Sequence, residues 1–170
     1  MMSVFWSLLD SATRRVFAAI SLACVSMLAF GLFLQFHYNI EPCPMCIVQR
    51  DALLMVAIIA ALTSASGKKS KQIWGASLLF ISAVFGAFVA ARQTWLQWYP
   101  PEIATCGRDF YGMIESFPLS RAIPMIFKGS GDCSKIDWTF LGGSIANWSF
   151  LAFTTFAVLA VLIVWRKARH

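Results

Sequence analysis

Residues 37–65 read HYNIEPCPMCIVQRDALLMVAIIAALTSA, a Cys-x-x-Cys at Cys43 and Cys46 that runs into an almost unbroken apolar stretch. From Ile47 to Ala65 that stretch approaches the roughly 20 residues a helix needs to cross a hydrocarbon core. Gln49, Arg50 and Asp51 sit near its start, where a charged group is costly unless it is paired or interfacial. The segment therefore predicts a membrane helix with two cysteines at its mouth. Working outward, Val16–Phe36, Ile73–Ala91 and Trp148–Trp165 are three more runs of the same kind. The first is longer than the roughly 7 to 15 apolar residues of a signal peptide and no clear small-x-small cleavage site follows it. It is kept as a helix, and the fold class is an all-α membrane protein: a bundle of four transmembrane helices forming one integral membrane domain over residues 1–170.

Composition agrees with this reading. Hydrophobic residues make up 59% and charged residues 13%, too little charge to clothe a soluble globule, and the mean hydropathy is +0.69. Disordered, collagen-like and nucleic-acid-binding readings fail with it, despite a net charge of +6 and a pI near 9.3. The basic excess marks orientation instead. Arg14 and Arg15 precede the first span, Lys68, Lys69 and Lys71 link the second and third, and Arg166, Lys167 and Arg169 follow the last. The bias of basic residues toward the cytoplasm puts all of these, and both termini, on that side. A short loop, 37–46, and a long one, 93–147, then face outward. Within the long loop Phe117, Ile123, Ile126 and Phe127 lie at roughly helical spacing around Pro118 and Pro124, which predicts a kinked segment on the bilayer surface. Trp95, Trp98, Trp138, Trp148 and Trp165 read as an interfacial belt.

With this topology Cys43, Cys46, Cys106 and Cys133 fall outside the cytoplasm, two per loop, and Cys24 falls in mid-membrane as a small apolar filler. In a bacterium that side is oxidising, which favours a redox pair at Cys43-Pro44-Met45-Cys46. The pair lies at the entrance to the second helix, whose N-terminal partial charge favours the thiolate, the form that attacks disulfides. Cys46 is the better placed of the two. A structural disulfide in each loop and a four-cysteine zinc site are the competing readings, the second weakened because Cys106 and Cys133 lack the close spacing of a ligand pair. Arg50 stands one helical turn beyond Cys46 on the same face. It either snorkels or pairs with Asp51, or it donates to a carbonyl ligand beside Cys46.

Two cysteine pairs on an oxidising face form a relay if one meets a soluble dithiol and the other passes electrons onward. Structural disulfides lie below about −300 mV and the strong periplasmic oxidant near −120 mV, so recharging that oxidant runs roughly 180 mV uphill of the bonds it makes. An external electron sink is required. The chain has no dinucleotide-binding pattern and no Cys-x-x-Cys-His, which leaves a lipid-soluble membrane quinone as the acceptor most available to a membrane-embedded thiolate.

Pro42-Cys43-Pro44-Met45-Cys46 followed by Arg50, Tyr99-Pro100 ahead of Ala104-Thr105-Cys106, Gly131-Asp132-Cys133, and Trp138 with Phe140-Leu141-Gly142 span nearly the whole chain. Together they resemble the disulfide bond formation protein B (DsbB) family. The resemblance implies a multi-pass enzyme of the bacterial inner membrane, a quinone-dependent protein-disulfide oxidoreductase with its active site on the periplasmic side. Such an enzyme oxidises the periplasmic thioredoxin-fold protein DsbA and passes the electrons to ubiquinone, or to menaquinone without oxygen. By position it implies that Cys106 and Cys133 exchange with a DsbA-like partner, that Cys43 and Cys46 face the quinone, and that Arg50 is the quinone-side cation. Where some members carry an acidic residue before that arginine and a histidine at the end of the third span, this chain has Gln49 and Gln93. A vitamin K epoxide reductase-like quinone enzyme with another thioredoxin-fold partner, and a non-catalytic disulfide-braced scaffold, are the alternatives.

The charge asymmetry makes the topology testable. Alkaline phosphatase fused after Lys69 is expected to be inactive and fused after Gly129 to be active; the opposite pattern would invert the bundle and remove the loop cysteines from the oxidising side.

Overall fold

The computed structural model describes residues 2–39, 42–100, 131–136 and 138–169. Its elements are α1 (Met2–Tyr38), α2 (Pro44–Ser64), α3 (Lys69–Trp98), the single turn α4 (Gly131–Ser134), the strands β1 (Thr139–Phe140) and β2 (Gly143–Ser144), and α5 (Ile145–Arg169). Ala12–Tyr38 within α1, together with α2, α3 and α5, supplies four segments long and apolar enough to cross a membrane. Their number and order are those read from the sequence.

The helix ends differ, and each difference has a local cause. α2 starts at Pro44, three residues ahead of the expected Ile47. Proline suits the first helical position because its φ is already helical and the N–H it lacks would have had no partner there. Cys43 takes the N-cap with extended backbone, φ −65° and ψ 159°, and its sulfur accepts the Cys46 N–H at 3.3 Å. The short loop thus shrinks from 37–46 to 39–43, and Cys46 belongs to the first helical turn. α3 runs to Trp98 rather than ending at Ala91, carrying Arg92, Gln93 and Gln97 into the helix, and stops just before Pro100, which restricts the residue ahead of it. Hydropathy alone cut this helix short because polar residues of a helix end still continue its hydrogen-bond ladder. α1 and α5 likewise outrun their apolar cores. The expected surface segment around Phe117–Phe127 lies outside the described residues.

Ahead of α5 a two-residue hairpin pairs Thr139 with Ser144 and Phe140 with Gly143. Both turn residues, Leu141 at φ 49° and Gly142 at φ 79°, are left-handed, as a tight hairpin of this twist requires. Ser144 then caps α5, its Oγ accepting the Asn147 N–H at 3.4 Å. At the opposite end of the bundle the Arg14 Nε donates to the Ser64 carbonyl at 2.8 Å, satisfying one of the orphan acceptors that end α2.

α2 packs against α1 and α3, and α3 packs against α5, so α1 and α5 stand at the two ends of the series. Small residues let these helices approach: Ala52, Ala57, Ala60, Ala76, Ala83, Ala157 and Ala160 all lie in the buried core beside Phe17, Val56, Leu79 and Phe153. Large apolar side chains such as Leu22, Leu62, Trp74 and Phe88 are turned outward, as a lipid-facing surface demands. α3 packs tightly on α5 at Gly86, where an added Cβ would come within 2.5 Å of the Phe153 ring.

Gly86→Val is therefore expected to lower the thermal midpoint of the detergent-solubilised protein, at an overpacking cost of about 1 to 3 kcal/mol. An unchanged midpoint would contradict this packing of α3 on α5.

Candidate active site

The N-terminus of α2 and the turn α4 bring three sulfurs together. Cys43 Sγ lies 2.7 Å from Cys46 Sγ. Cys133, wholly buried in α4, forms a side-chain hydrogen bond with Cys43. These residues sit in a small apolar cluster with Met45, Val89 and Leu96, separate from the main core. No disulfide joins any of the described cysteines. The bond to Cys133, then the bond to Cys46, then burial push the Cys43 thiol up from its ordinary value, so Cys43 keeps its proton in this arrangement. Cys106 lies outside the described residues.

α3 supplies the polar floor of the cluster. Gln93 is almost fully buried, and its Nε2 lies 3.2 Å from Cys46 Sγ and 3.4 Å from Cys43 Sγ. Its Oε1 accepts from Gln49 Nε2 at 2.5 Å. Gln49 and Arg50 follow Cys46 by three and four residues, so one face of α2 carries all three toward the same space.

That space is a cavity of about 880 Å³, bounded on opposite sides by α1 and α5. Its walls are mainly apolar, with Leu34, Leu53, Ala152 and Phe153 among them, and its polar groups include Cys46, Gln49, Arg50 and Gln93. Arg50 reaches across to α1, where Nη1 donates to Gln35 Oε1 at 2.5 Å and Nη2 to the Gly31 carbonyl at 3.4 Å. Gln35 and Gly31 are one helical turn apart, so the guanidinium spans a single face of α1. Its partners are therefore on α1, while Asp51 is exposed. Beside the opening Phe30 meets Trp138 edge-on at 5.5 Å, Trp138 stacks with Phe140 at 6.0 Å, and Trp148 Nε1 donates to the Phe140 carbonyl at 3.0 Å. A second polar group closes the α3–α5 side: Ser144 Oγ donates to Gln97 Oε1 at 2.6 Å, and Thr94 Oγ1 donates to Asn147 Oδ1 at 3.1 Å.

The family model described as "Disulfide bond formation protein DsbB" matches residues 13–163. Proteins named "Disulfide bond formation protein B" are similar over nearly their whole length. The one from Albidiferax ferrireducens is 65% identical over 159 residues, covering 94% of this chain and 91% of its own. That from Polaromonas naphthalenivorans is 63% identical over 167 residues, 98% and 99% of the two chains. A more distant relative from Azoarcus sp. is 52% identical over 159 residues, 92% and 95%. The chain belongs to the DsbB family.

For a DsbB protein the structure brings Cys43, Cys46 and Cys133 into one cluster and sets Arg50 in the cavity beside it. Cys24 stays apart, buried among Phe17, Ile20 and the helix-packing alanines. Sequence reasoning missed Gln35, Gln97 and Ser144, and it gave Trp138 and Trp148 to the interfacial belt although both line the cavity. One signal was available: a glutamine inside an apolar run needs a polar partner, and Gln35 and Gln93 are such residues. The partner itself depends on helix packing, which periodicity does not reveal. The cavity also fits a quinone head group. It is large enough and mainly apolar, and Arg50 offers guanidinium donors on the same face of α2 as the Cys46 sulfur.

Proposed function

We propose that this member of the DsbB family is the membrane enzyme that reoxidises a DsbA-like thioredoxin-fold protein on the periplasmic face of the bacterial inner membrane and delivers two electrons to a membrane quinone. The observation that carries this reading is the convergence of sulfurs from two separate segments, Cys43 with Cys46 and Cys133, at the wall of a mainly apolar cavity lined by Arg50. A braced scaffold has no need of a third sulfur beside a Cys-x-x-Cys, nor of a cation in the wall of a mainly apolar cavity.

Electron flow follows from the chemistry of exchange. A thiolate of the reduced partner attacks the Cys106–Cys133 disulfide at Cys106, breaking that bond and releasing Cys133 as a thiolate. The partner's second thiol then attacks the mixed disulfide, leaving with a disulfide of its own. Cys133, held against Cys43, attacks the Cys43–Cys46 disulfide at Cys43 and expels Cys46 as the thiolate. Cys106 attacks the new Cys133–Cys43 bond, which restores the loop disulfide and leaves Cys43 and Cys46 reduced. Two electrons have now moved from the partner to the helix-entrance pair, with protons balanced through solvent. A quinone held in the cavity beside Cys46 and Arg50 would supply the final two-electron, two-proton sink.

The protein's own groups prepare that last transfer. Cys46, on the first turn of α2, projects its sulfur into the cavity at the positive end of the helix, which favours the thiolate as donor. Arg50, held in place by Gln35 and the Gly31 carbonyl, puts a fixed positive charge where negative charge develops on a carbonyl oxygen. The apolar walls exclude water and admit a lipid-soluble ring. Ubiquinone, or menaquinone where oxygen is absent, has that chemistry.

The direct test mixes purified protein, a reduced DsbA-like partner and a soluble quinone analogue, and follows quinone absorbance. One quinone is expected to be consumed for each partner dithiol oxidised; no consumption would refute the reading. Arg50→Ala separates the two halves of the reaction. It is expected to raise the KM for quinone and to lower kcat, since one oxyanion-stabilising donor is worth about 2.7 to 4 kcal/mol. Quinone-free single-turnover exchange with the partner is expected to stay near its normal rate, and Arg50→Lys to rescue in part, because a point charge lacks the planar fork. Normal quinone kinetics in Arg50→Ala would remove Arg50 from the quinone site.

A further inference from the structure

Two carboxamides are buried at the end of a membrane bundle, where burial is unfavourable unless each polar group is bonded. Gln93 is 4% exposed and Gln49 6%. Among the described residues their side chains bond only each other and the two sulfurs of the helix-entrance pair. An amide has one acceptor oxygen and two N–H donors that diverge from one nitrogen. In Gln93 the nitrogen lies 3.2 Å from Cys46 Sγ and 3.4 Å from Cys43 Sγ, matching one donor to each sulfur, while Oε1 is farther from Cys46 at 3.7 Å. The orientation is not left to chance. Gln49 Nε2 donates to Gln93 Oε1 at 2.5 Å, and turning the Gln93 amide over would set two N–H groups against each other.

We propose that Gln93 is a catalytic hydrogen-bond donor that stabilises the reduced Cys43–Cys46 pair through both amide N–H bonds, and that Gln49 is a positioning residue that locks the amide with its nitrogen toward the sulfurs. The proposal rests on the redox role given to that pair above. Reduction breaks the Cys43–Cys46 bond and adds two electrons, leaving Cys46 as the thiolate and Cys43 as the thiol with one proton taken up. In turnover the two electrons come from the reduced Cys106 and Cys133, which are oxidised to a disulfide as the Cys43–Cys46 bond is broken. A thiolate is a strong acceptor and a disulfide sulfur a weak one, so the two amide bonds strengthen as the pair is reduced. Stabilising the reduced form makes a dithiol pair a stronger oxidant. Gln93 therefore draws electrons out of the loop and holds them beside the cavity. This is charge stabilisation by neutral groups that neither gain nor lose a proton.

The test needs no quinone. The full-length protein, with every cysteine present, is equilibrated anaerobically with a series of reduced and oxidised glutathione mixtures. Free thiols are then blocked and the redox state of the Cys43–Cys46 peptide is read by mass spectrometry. Gln93→Met keeps the length and bulk of the side chain and removes both donors. It is expected to shift the equilibrium toward the disulfide by about tenfold, or ~30 mV for two electrons. Gln49→Met is expected to shift it the same way by a smaller factor, since Gln93 remains but is free to turn. A role in packing alone would leave both equilibria where they were, and that result would overturn the proposal. A shift in Gln49→Met equal to or larger than that in Gln93→Met would overturn the division of roles. Should Gln93→Met fail to accumulate in membranes, an unchanged equilibrium in Gln49→Met is enough to overturn it. If instead the unsubstituted pair never exchanges with reduced glutathione or a reduced DsbA-like partner, it is the proposed function that fails.

Discussion

The Cys43 sulfur does three things at one point. It caps α2 by accepting the Cys46 N–H, it touches Cys46 Sγ at 2.7 Å, and it bonds Cys133 from a segment far along the chain. A helix N-terminus needs acceptors for its unpaired N–H groups, and here the Cys43 sulfur is one of them. The start of the helix and the proposed site of exchange are consequently one feature: moving Cys43 would alter the entry of α2 as well as the sulfur cluster. Pro44 at the first helical position reinforces this, since it fixes where the helix begins and so where Cys46, Gln49 and Arg50 point.

From that start the remaining geometry follows in turns of α2. Cys46, Gln49 and Arg50 share a face, and each meets a glutamine on another helix: Cys46 and Gln49 meet Gln93 on α3, and Arg50 meets Gln35 on α1. Three polar groups on an apolar helix would be costly alone. Paired across helices, they fix the register of α1 and α3 against α2 while leaving Cys46 and Arg50 accessible from the cavity. The gap between α1 and α5 persists because these two helices stand at opposite ends of the packing series. Small residues pack α3 against α2 and α5, and the cavity runs from the end that carries the sulfurs to Met27 on α1 and Thr155 on α5.

Much of this was legible in the sequence. Four spans follow from apolar length, and the Cys-x-x-Cys at a helix entrance, with Arg50 one turn on, follows from spacing. The ends of α3 were hidden, because a hydropathy reading stops where polar residues begin while the backbone ladder continues to the residue before Pro100. The contact of Cys133 with Cys43 and the choice of Gln35 as the Arg50 partner were hidden too, since both arise between segments remote in sequence. Trp138 and Trp148 misled for a different reason. Tryptophan serves equally as an interfacial anchor and as the wall of an apolar pocket, and only the hairpin that brings Phe140 between them distinguishes the two.

The central claim is that electrons pass from the loop pair to the helix-entrance pair through the sulfurs of Cys133 and Cys43. The protein, with all its cysteines, is reacted with a reduced DsbA-like partner in the absence of quinone. The reaction is quenched in acid, free thiols are alkylated, and a non-reducing digest is searched by mass spectrometry. The account predicts a peptide cross-linked between Cys43 and Cys133, formed as the partner is oxidised. Oxidation of the partner with only the Cys43–Cys46 and Cys106–Cys133 bonds ever recovered would contradict it.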